Sequence, residues 1–282
     1  MQTLILVIIG LVGAPLLGGL IAGLDRRVTA WLQSRQGPPI MQPFYDVAKL
    51  FGKEKMVVNQ WQILCAWVYL VAAAVAVALF FAQGDLLLIF FVQAIGGVFL
   101  VMGALSAKSP YSQVGAQREL LQMLAYEPVL ILVFVGFYMV TGSFSIQAVW
   151  AQEIPLLAKM PLLYLALCYA LTIKLMKSPF DFATSHHGHQ ELVKGVLTEY
   201  SGPYLGLIEV AHWYETILVL GLCALFWHTN VAWMALLIVV TYLLEILVDN
   251  TMARMTWRWM LKRVWLIGMG LGVVNLIWLY AR

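Results

Sequence analysis

Eight apolar runs, at residues 3–24, 61–82, 86–106, 120–141, 160–176, 203–226, 231–248 and 264–281, follow one another along the chain. Each comes close to the ~20 residues that carry a helix across the hydrocarbon core of a bilayer. Inside lipid a backbone N–H or C=O finds no water, so a spanning segment must close its hydrogen bonds within a helix or around a barrel. Barrel strands alternate apolar and polar residues, and these runs do not. The sequence therefore predicts an all-α integral membrane protein, one polytopic domain over residues 1–282 with about eight transmembrane helices. Its composition agrees: 62% of residues are hydrophobic and only 11% charged, outside the range of soluble domains. The run at 160–176 is the shortest, with Lys174 placed to snorkel from its last turn. The first run has no basic n-region and reads as a retained helix rather than a signal peptide.

Charge sets the orientation. Of the 17 Lys and Arg, all but Lys159 and Arg282 fall in the segments after the first, third, fifth and seventh runs. By the positive-inside rule the loops at 25–60, 107–119, 177–202 and 249–263 are cytoplasmic and both termini lie outside. The net charge of +3 follows from that orientation and forms no patch for nucleic acid. Within the first inner loop, Gly37-Pro38-Pro39 must be a turn. After it, Pro43 starts a short amphipathic interfacial helix with Phe44, Val47, Ala48 and Phe51 on one face. Such a helix either anchors the chain at the interface or rims a cytoplasm-facing cavity.

The acids inside the runs are the strongest functional signal, because an ionisable residue at membrane depth costs at least ~2.5 kcal/mol on insertion scales. Glu127 precedes Pro128, which removes one helical hydrogen bond and frees a carbonyl. Glu209, His212 and Glu215 are spaced three apart and share one face of the sixth run. Glu245 and Asp249 stand at i,i+4 near the end of the seventh. These six form a candidate proton relay, and no cation on the same helices is an evident partner. The alternative is interhelical hydrogen bonding by neutral carboxyls. The loop 178–202 adds His186, His187 and His189 with Asp181 and Glu191. Adjacent loop histidines do not converge as an i,i+4 pair does, so docking or proton exchange is expected of them and a metal site is not. Cys65, Cys168 and Cys223 are far apart, with no CxxC spacing for an iron–sulfur cluster or a disulfide framework. No nucleotide-binding or hydrolase motif occurs, and no inverted repeat marks a self-contained transporter.

Several of these segments carry a resemblance. Arg35-Gln36-Gly37-Pro38, Gln42-Pro43 and Lys49-Leu50-Phe51-Gly52-Lys53-Glu54 resemble the first inner loop of the complex I subunit that forms the membrane side of the quinone chamber, NADH dehydrogenase subunit 1 or H. Tyr126-Glu127, Pro179-Phe180-Asp181, Glu191-Leu192-Val193 and Thr198-Glu199-Tyr200-Ser201 resemble its later motifs, in the same order. The chain departs from that subunit at Ala183–His189 and at His212, where the quinone-reducing branch carries acidic residues. With Val248-Asp249-Asn250-Thr251-Met252-Ala253-Arg254, these departures resemble the related branch: membrane anchors of energy-converting, group 4 nickel–iron (NiFe) hydrogenases, including formate hydrogenlyase.

The resemblance implies a non-catalytic anchor in the inner membrane of a prokaryote. Hydrogenase large and small subunits and a ferredoxin-like iron–sulfur subunit would dock on its cytoplasmic loops, and an antiporter-like membrane subunit would adjoin it. The NiFe centre and 4Fe–4S clusters would sit on those partners, with none bound by this chain. Docking or the cavity rim would fall to Arg26, Arg27, Arg35, Asp46, Lys49, Glu54, Asp181, His186, His187, His189, Glu191 and Glu199. The alternative is a quinone-chamber subunit of a complex I-like respiratory dehydrogenase.

Overall fold

A computed structural model describes residues 2–56, 58–177, 180, 194–253 and 255–281. The apolar runs are helices. In chain order these are α1 (Gln2–Leu32), α2 (Gln42–Phe51), α3 (Gln60–Phe81), α4 (Leu86–Leu105), α5 (Pro110–Thr141), the short α6 (Ile146–Trp150) and α7 (Leu156–Lys159), and α8 (Pro161–Lys174). After a 3₁₀ turn at Gly195–Leu197 come α9 (Gly202–Leu225), α10 (Val231–Thr251), α11 (Trp257–Arg263) and α12 (Gly270–Tyr280), the last two joined by a π-helical segment, Val264–Met269. Among the described residues, seven helices are long and apolar enough to cross a membrane, Trp257–Tyr280 counting as one of them.

The eighth expected span, at 160–176, is shorter than the rest: α8 has 14 residues, about 21 Å at 1.5 Å per residue. Pro161 stands at the start of α8 and separates it from the single turn of α7, since proline cannot donate into a continuous ladder. The opened α8 terminus is capped from elsewhere. Asn275 Oδ1 on α12, fully buried, accepts the Leu163 N–H at 2.9 Å, satisfying a donor that lipid would leave costly.

The segment expected as a loop at 107–119 is mostly helix, because Pro110 opens α5 ten residues before the apolar run begins. Proline suits the first turn of a helix, and Gly115 admits the backbone of the 3₁₀ turn: a Cβ there would meet the Gly195 carbonyl carbon at 2.5 Å. The interfacial helix forms as α2, but its buried stripe is Pro43 and Val47 with Phe44 half-buried, while Ala48 and Phe51 are exposed. The Phe44 ring turns the helix this way, packing 5.1 Å from the Trp213 ring.

The helices divide into two compact units. The first is built from α1–α3, most of α4, the start of α5 and α9 up to Leu218; the second from the rest of α5, α6–α8, the end of α9 and α10–α12. In each, a proline inside a spanning helix frees a carbonyl that a neighbouring helix claims. Pro15 releases Leu11 O, which accepts the Tyr214 hydroxyl at 2.7 Å in the first unit. Pro128 releases Leu124 O, which accepts the Trp265 indole N–H at 3.3 Å in the second. Both bonds meet the demand that no backbone group stay unsatisfied in lipid. Close packing in the first unit also needs Gly18, where a Cβ would strike Trp213 O at 2.6 Å.

Candidate functional site

On α9 the triplet spaced three apart divides by surroundings. His212 Nδ1 lies 3.0 Å from the Tyr69 hydroxyl of α3, with the two rings edge-on at 5.5 Å. The same nitrogen is 3.7 Å from Glu215 Oε2. Glu215 is buried and accepts a hydrogen bond from Gln93 Nε2 of α4. Phenol, imidazole, carboxyl and amide thus follow one another within the first unit. Phenol, imidazole and carboxyl can each take up or release a proton, and the amide fixes the carboxyl without competing for charge. Glu209 is half-buried on the same helix and forms no hydrogen bond with the described residues.

Sequence reasoning passed over Tyr69 and Gln93 because neither is ionised and both sit in apolar runs. Gln93 did carry a signal: it is the lone polar side chain in the 20 residues of α4, and an isolated amide in a spanning helix needs a partner.

The remaining acids belong to the second unit, and cations accompany them, supplied by the end of α8 rather than by the acids' own helices. Glu127 is half-buried on α5. Lys174, in the last turn of α8, points its ammonium at neighbouring Tyr126, 3.4 Å from the hydroxyl and 5.3 Å from the ring centroid, and its charge acts on Glu127. Glu245 is 4% exposed, and its Oε2 has no hydrogen-bond partner among the described residues. Asp249 lies 3.9 Å from the Lys177 ammonium, which also sits 5.9 Å from the Tyr242 ring.

Lys177 is buried because α8 ends in a Schellman motif: Lys177 N–H donates to Thr172 O at 2.8 Å and Met176 N–H to Ile173 O at 2.9 Å. Met176 adopts the left-handed conformation, φ 54°, that glycine usually fills. With no glycine to mark it, the motif was invisible in the sequence.

At the expected rim, the Asp46 carboxylate accepts from Arg26 at 2.8 Å and from Gln42 Nε2 at 2.9 Å. Burial alone would raise the Asp46 carboxyl; the hydrogen bonds from Arg26 and Gln42, with the charges of Arg26 and Lys49, outweigh it and hold the group below its ordinary range. Arg27, Arg35, Lys49 and Glu54 are exposed. Glu199 lines a shallow cleft with Gln62, Tyr200, Ser201 and Tyr204. Burial raises the Tyr200 phenol above its usual range, and nearby Cys65 adds to the shift. Asp181, His186, His187, His189 and Glu191 lie outside the described residues. Among the described residues no group of three or more His, Cys, Asp or Glu is placed to hold a metal ion.

With this geometry in place, comparison with known proteins is informative. Residues 3–280 match the NADH dehydrogenase family. The chain is 32% identical over 205 residues to hydrogenase-4 component C of Escherichia coli (strain K12), covering 67% of this chain and 64% of that protein. It is 30% identical over 211 residues to formate hydrogenlyase subunit 4 of the same organism, covering 67% and 66%. It is also 30% identical over 216 residues to the H subunit of NADH-quinone oxidoreductase from Dehalococcoides mccartyi (strain CBDB1), covering 70% and 60%. The chain thus spans just under two thirds of the length of these relatives. A solved archaeal respiratory membrane complex, the membrane-bound sulfane sulfur reductase, contains a chain of the same fold, with TM-score 0.87, 23% identity and coverage of 99% of this chain and 100% of that one.

Proposed function

The chain belongs to the NADH dehydrogenase family, as a multi-pass membrane subunit of the subunit 1/H type, and we propose that it anchors and couples a multisubunit energy-converting nickel–iron hydrogenase. In this reading hydrogenase large and small subunits and a ferredoxin-like iron–sulfur subunit dock on loops 25–60 and 177–202. They carry the nickel–iron centre and the 4Fe–4S clusters. An antiporter-like subunit lies alongside in the inner membrane, and both termini of this chain face outward. Electron transfer in the docked arm drives protons, or sodium, through the membrane part. Glu127, Glu209, His212, Glu215, Glu245 and Asp249 are the proton-handling groups of this chain.

The observation that carries the proposal is His212. Its imidazole stands between the Tyr69 hydroxyl and the Glu215 carboxyl, at a half-buried position where a group that both accepts and releases protons serves transfer better than a fixed charge. The 32% and 30% identities to the hydrogenase-4 and formate hydrogenlyase subunits support the choice of complex.

A second reading, a quinone-chamber subunit of a complex I-like dehydrogenase, is favoured by the likeness to the H subunit of NADH-quinone oxidoreductase. Purification through a tag on this chain separates the two. The hydrogenase reading expects nickel and iron–sulfur subunits to copurify, with hydrogen evolved from reduced ferredoxin. A complex that holds no nickel and reduces a quinone would overturn it in favour of the second.

A further inference from the structure

Helix α11 carries a feature outside both acid clusters. Met260 and Val264, one turn apart, are 1% and 0% exposed and fix its inward face. Arg258, Trp259, Lys262 and Arg263 are all exposed. Each of these cations stands over an indole: Arg258 is 5.3 Å from the Trp257 ring centroid, while Lys262 and Arg263 are 5.5 Å and 5.7 Å from that of Trp259. A cation held over an indole keeps its charge in a defined place while its outer face stays free to meet an anion. Among the described residues none of these three cations forms an ion pair.

Immediately beyond, Trp265 and Leu266 are 45% and 70% exposed, and Trp265 is held in place through its bond to Leu124 O. Exposed cations interleaved with the indoles of Trp257 and Trp259 therefore give way to the exposed side chains of Trp265 and Leu266 between residues 258 and 266, about 12 Å of helix. Phosphate, glycerol and acyl chain follow in the same order through the boundary layer of a phospholipid leaflet.

We infer that this face binds the headgroup of an anionic phospholipid. Lys262, Arg263 and Arg258 meet the phosphodiester, the guanidinium groups through paired N–H donors. Trp259 and Trp265 lie against the glycerol region, and Leu266 meets the first acyl carbons. A zwitterionic lipid would bring its own ammonium toward three cations, so the face selects for net negative charge. The inference does not depend on which respiratory complex the chain joins.

The intact complex, delipidated in mild detergent, is titrated with phosphatidylglycerol or phosphatidylcholine of matched acyl chains, and native mass spectrometry counts the lipid retained on this subunit. Wild type is expected to hold at least one phosphatidylglycerol where it holds no phosphatidylcholine, with occupancy falling about threefold or more in about 0.5 M salt. The variant R258Q/K262Q/R263Q should lose that lipid, and K108Q/K159Q, which removes charge away from this face and from the docking loops, should keep it. Trp259→Leu preserves all three cations and should lower occupancy about two- to threefold. If the triple variant fails to assemble, Trp259→Leu and the salt titration of wild type decide the matter. Equal binding of the two lipids would overturn the inference, as would unchanged phosphatidylglycerol retention in R258Q/K262Q/R263Q. Loss of a partner subunit from that variant with its lipid retained would also overturn it, and would make the face a protein contact.

Discussion

In the first unit the buried carboxyl Glu215 sits with an amide, an imidazole and, one step further, a phenol; in the second, Glu127, Glu245 and Asp249 sit near Lys174 and Lys177. An amide carries no charge and an imidazole can shed its own, so these described neighbours can stay neutral while a carboxyl changes protonation. A lysine set beside a buried carboxyl offsets part of the desolvation that favours its neutral form. The carboxyls therefore meet two kinds of neighbour: groups that can themselves stay neutral along α9, and lysines from the C-terminal end of α8 in the second unit.

The sharpest way to break this contrast is to remove a lysine. Lys177→Met leaves Asp249 and Glu245 without their nearest cation. Breaking one partner from a buried pair should cost about 3 kcal/mol, read as a lowered melting temperature of the solubilised complex. The double variant Lys177→Met/Asp249→Asn should recover most of that loss. If Lys177→Met melts like wild type, the second cluster is not charge-balanced by Lys177 and the comparison fails.

A smaller effect is expected in the first unit. Tyr69→Phe deletes only the hydroxyl that meets His212 Nδ1 at 3.0 Å, a change worth about 1 kcal/mol in stability. Its functional effect should be larger than its structural one: proton transfer in sealed vesicles should slow while hydrogenase activity with artificial donors holds. A matched fall in both would make Tyr69 a packing residue.

The smallest effect concerns the rim. The folded Asp46 carboxyl has a lowered pKa. Its stabilising contribution is thus fully present above the unfolded value of 3.8 and disappears as pH falls through the folded value. Arg26 and Asp46 side chains are 46% and 44% exposed, so solvent screening holds the contribution below about 1 kcal/mol. Asp46→Asn should melt slightly below wild type at pH 7, and the difference should shrink as pH falls below 3.8 and through the lower folded value. A difference that stays constant as pH falls would assign the effect to shape rather than charge.

What was legible in the sequence follows the same division. Hydropathy located the spanning helices because lipid imposes length and apolarity on each one separately. The face of α9 was legible because three residues at a helical spacing need no tertiary knowledge. Pro128 announced a freed carbonyl, but the bond that Leu124 O accepts from Trp265, 141 positions away, depends on packing. The pairing of His212 with Tyr69 across 143 positions was equally out of reach. Lys177 was read as an orienting charge on a loop, and only the αL turn at Met176 draws it inward. Local periodicity reports which residues share a face; it says nothing of what another helix brings to that face.

The central claim is that Glu127 and Glu215 handle protons while the electron path runs through partner subunits. The most direct measurement places Glu127→Gln and Glu215→Gln separately in sealed vesicles, supplies reduced ferredoxin, and follows hydrogen evolution and the ion gradient together. The amide keeps the shape and removes the titrating proton. Each variant should evolve hydrogen with subunit content matching wild type while building little or no gradient. A normal gradient in both variants, at matched turnover, would contradict the account and leave these carboxyls as structural hydrogen-bond partners.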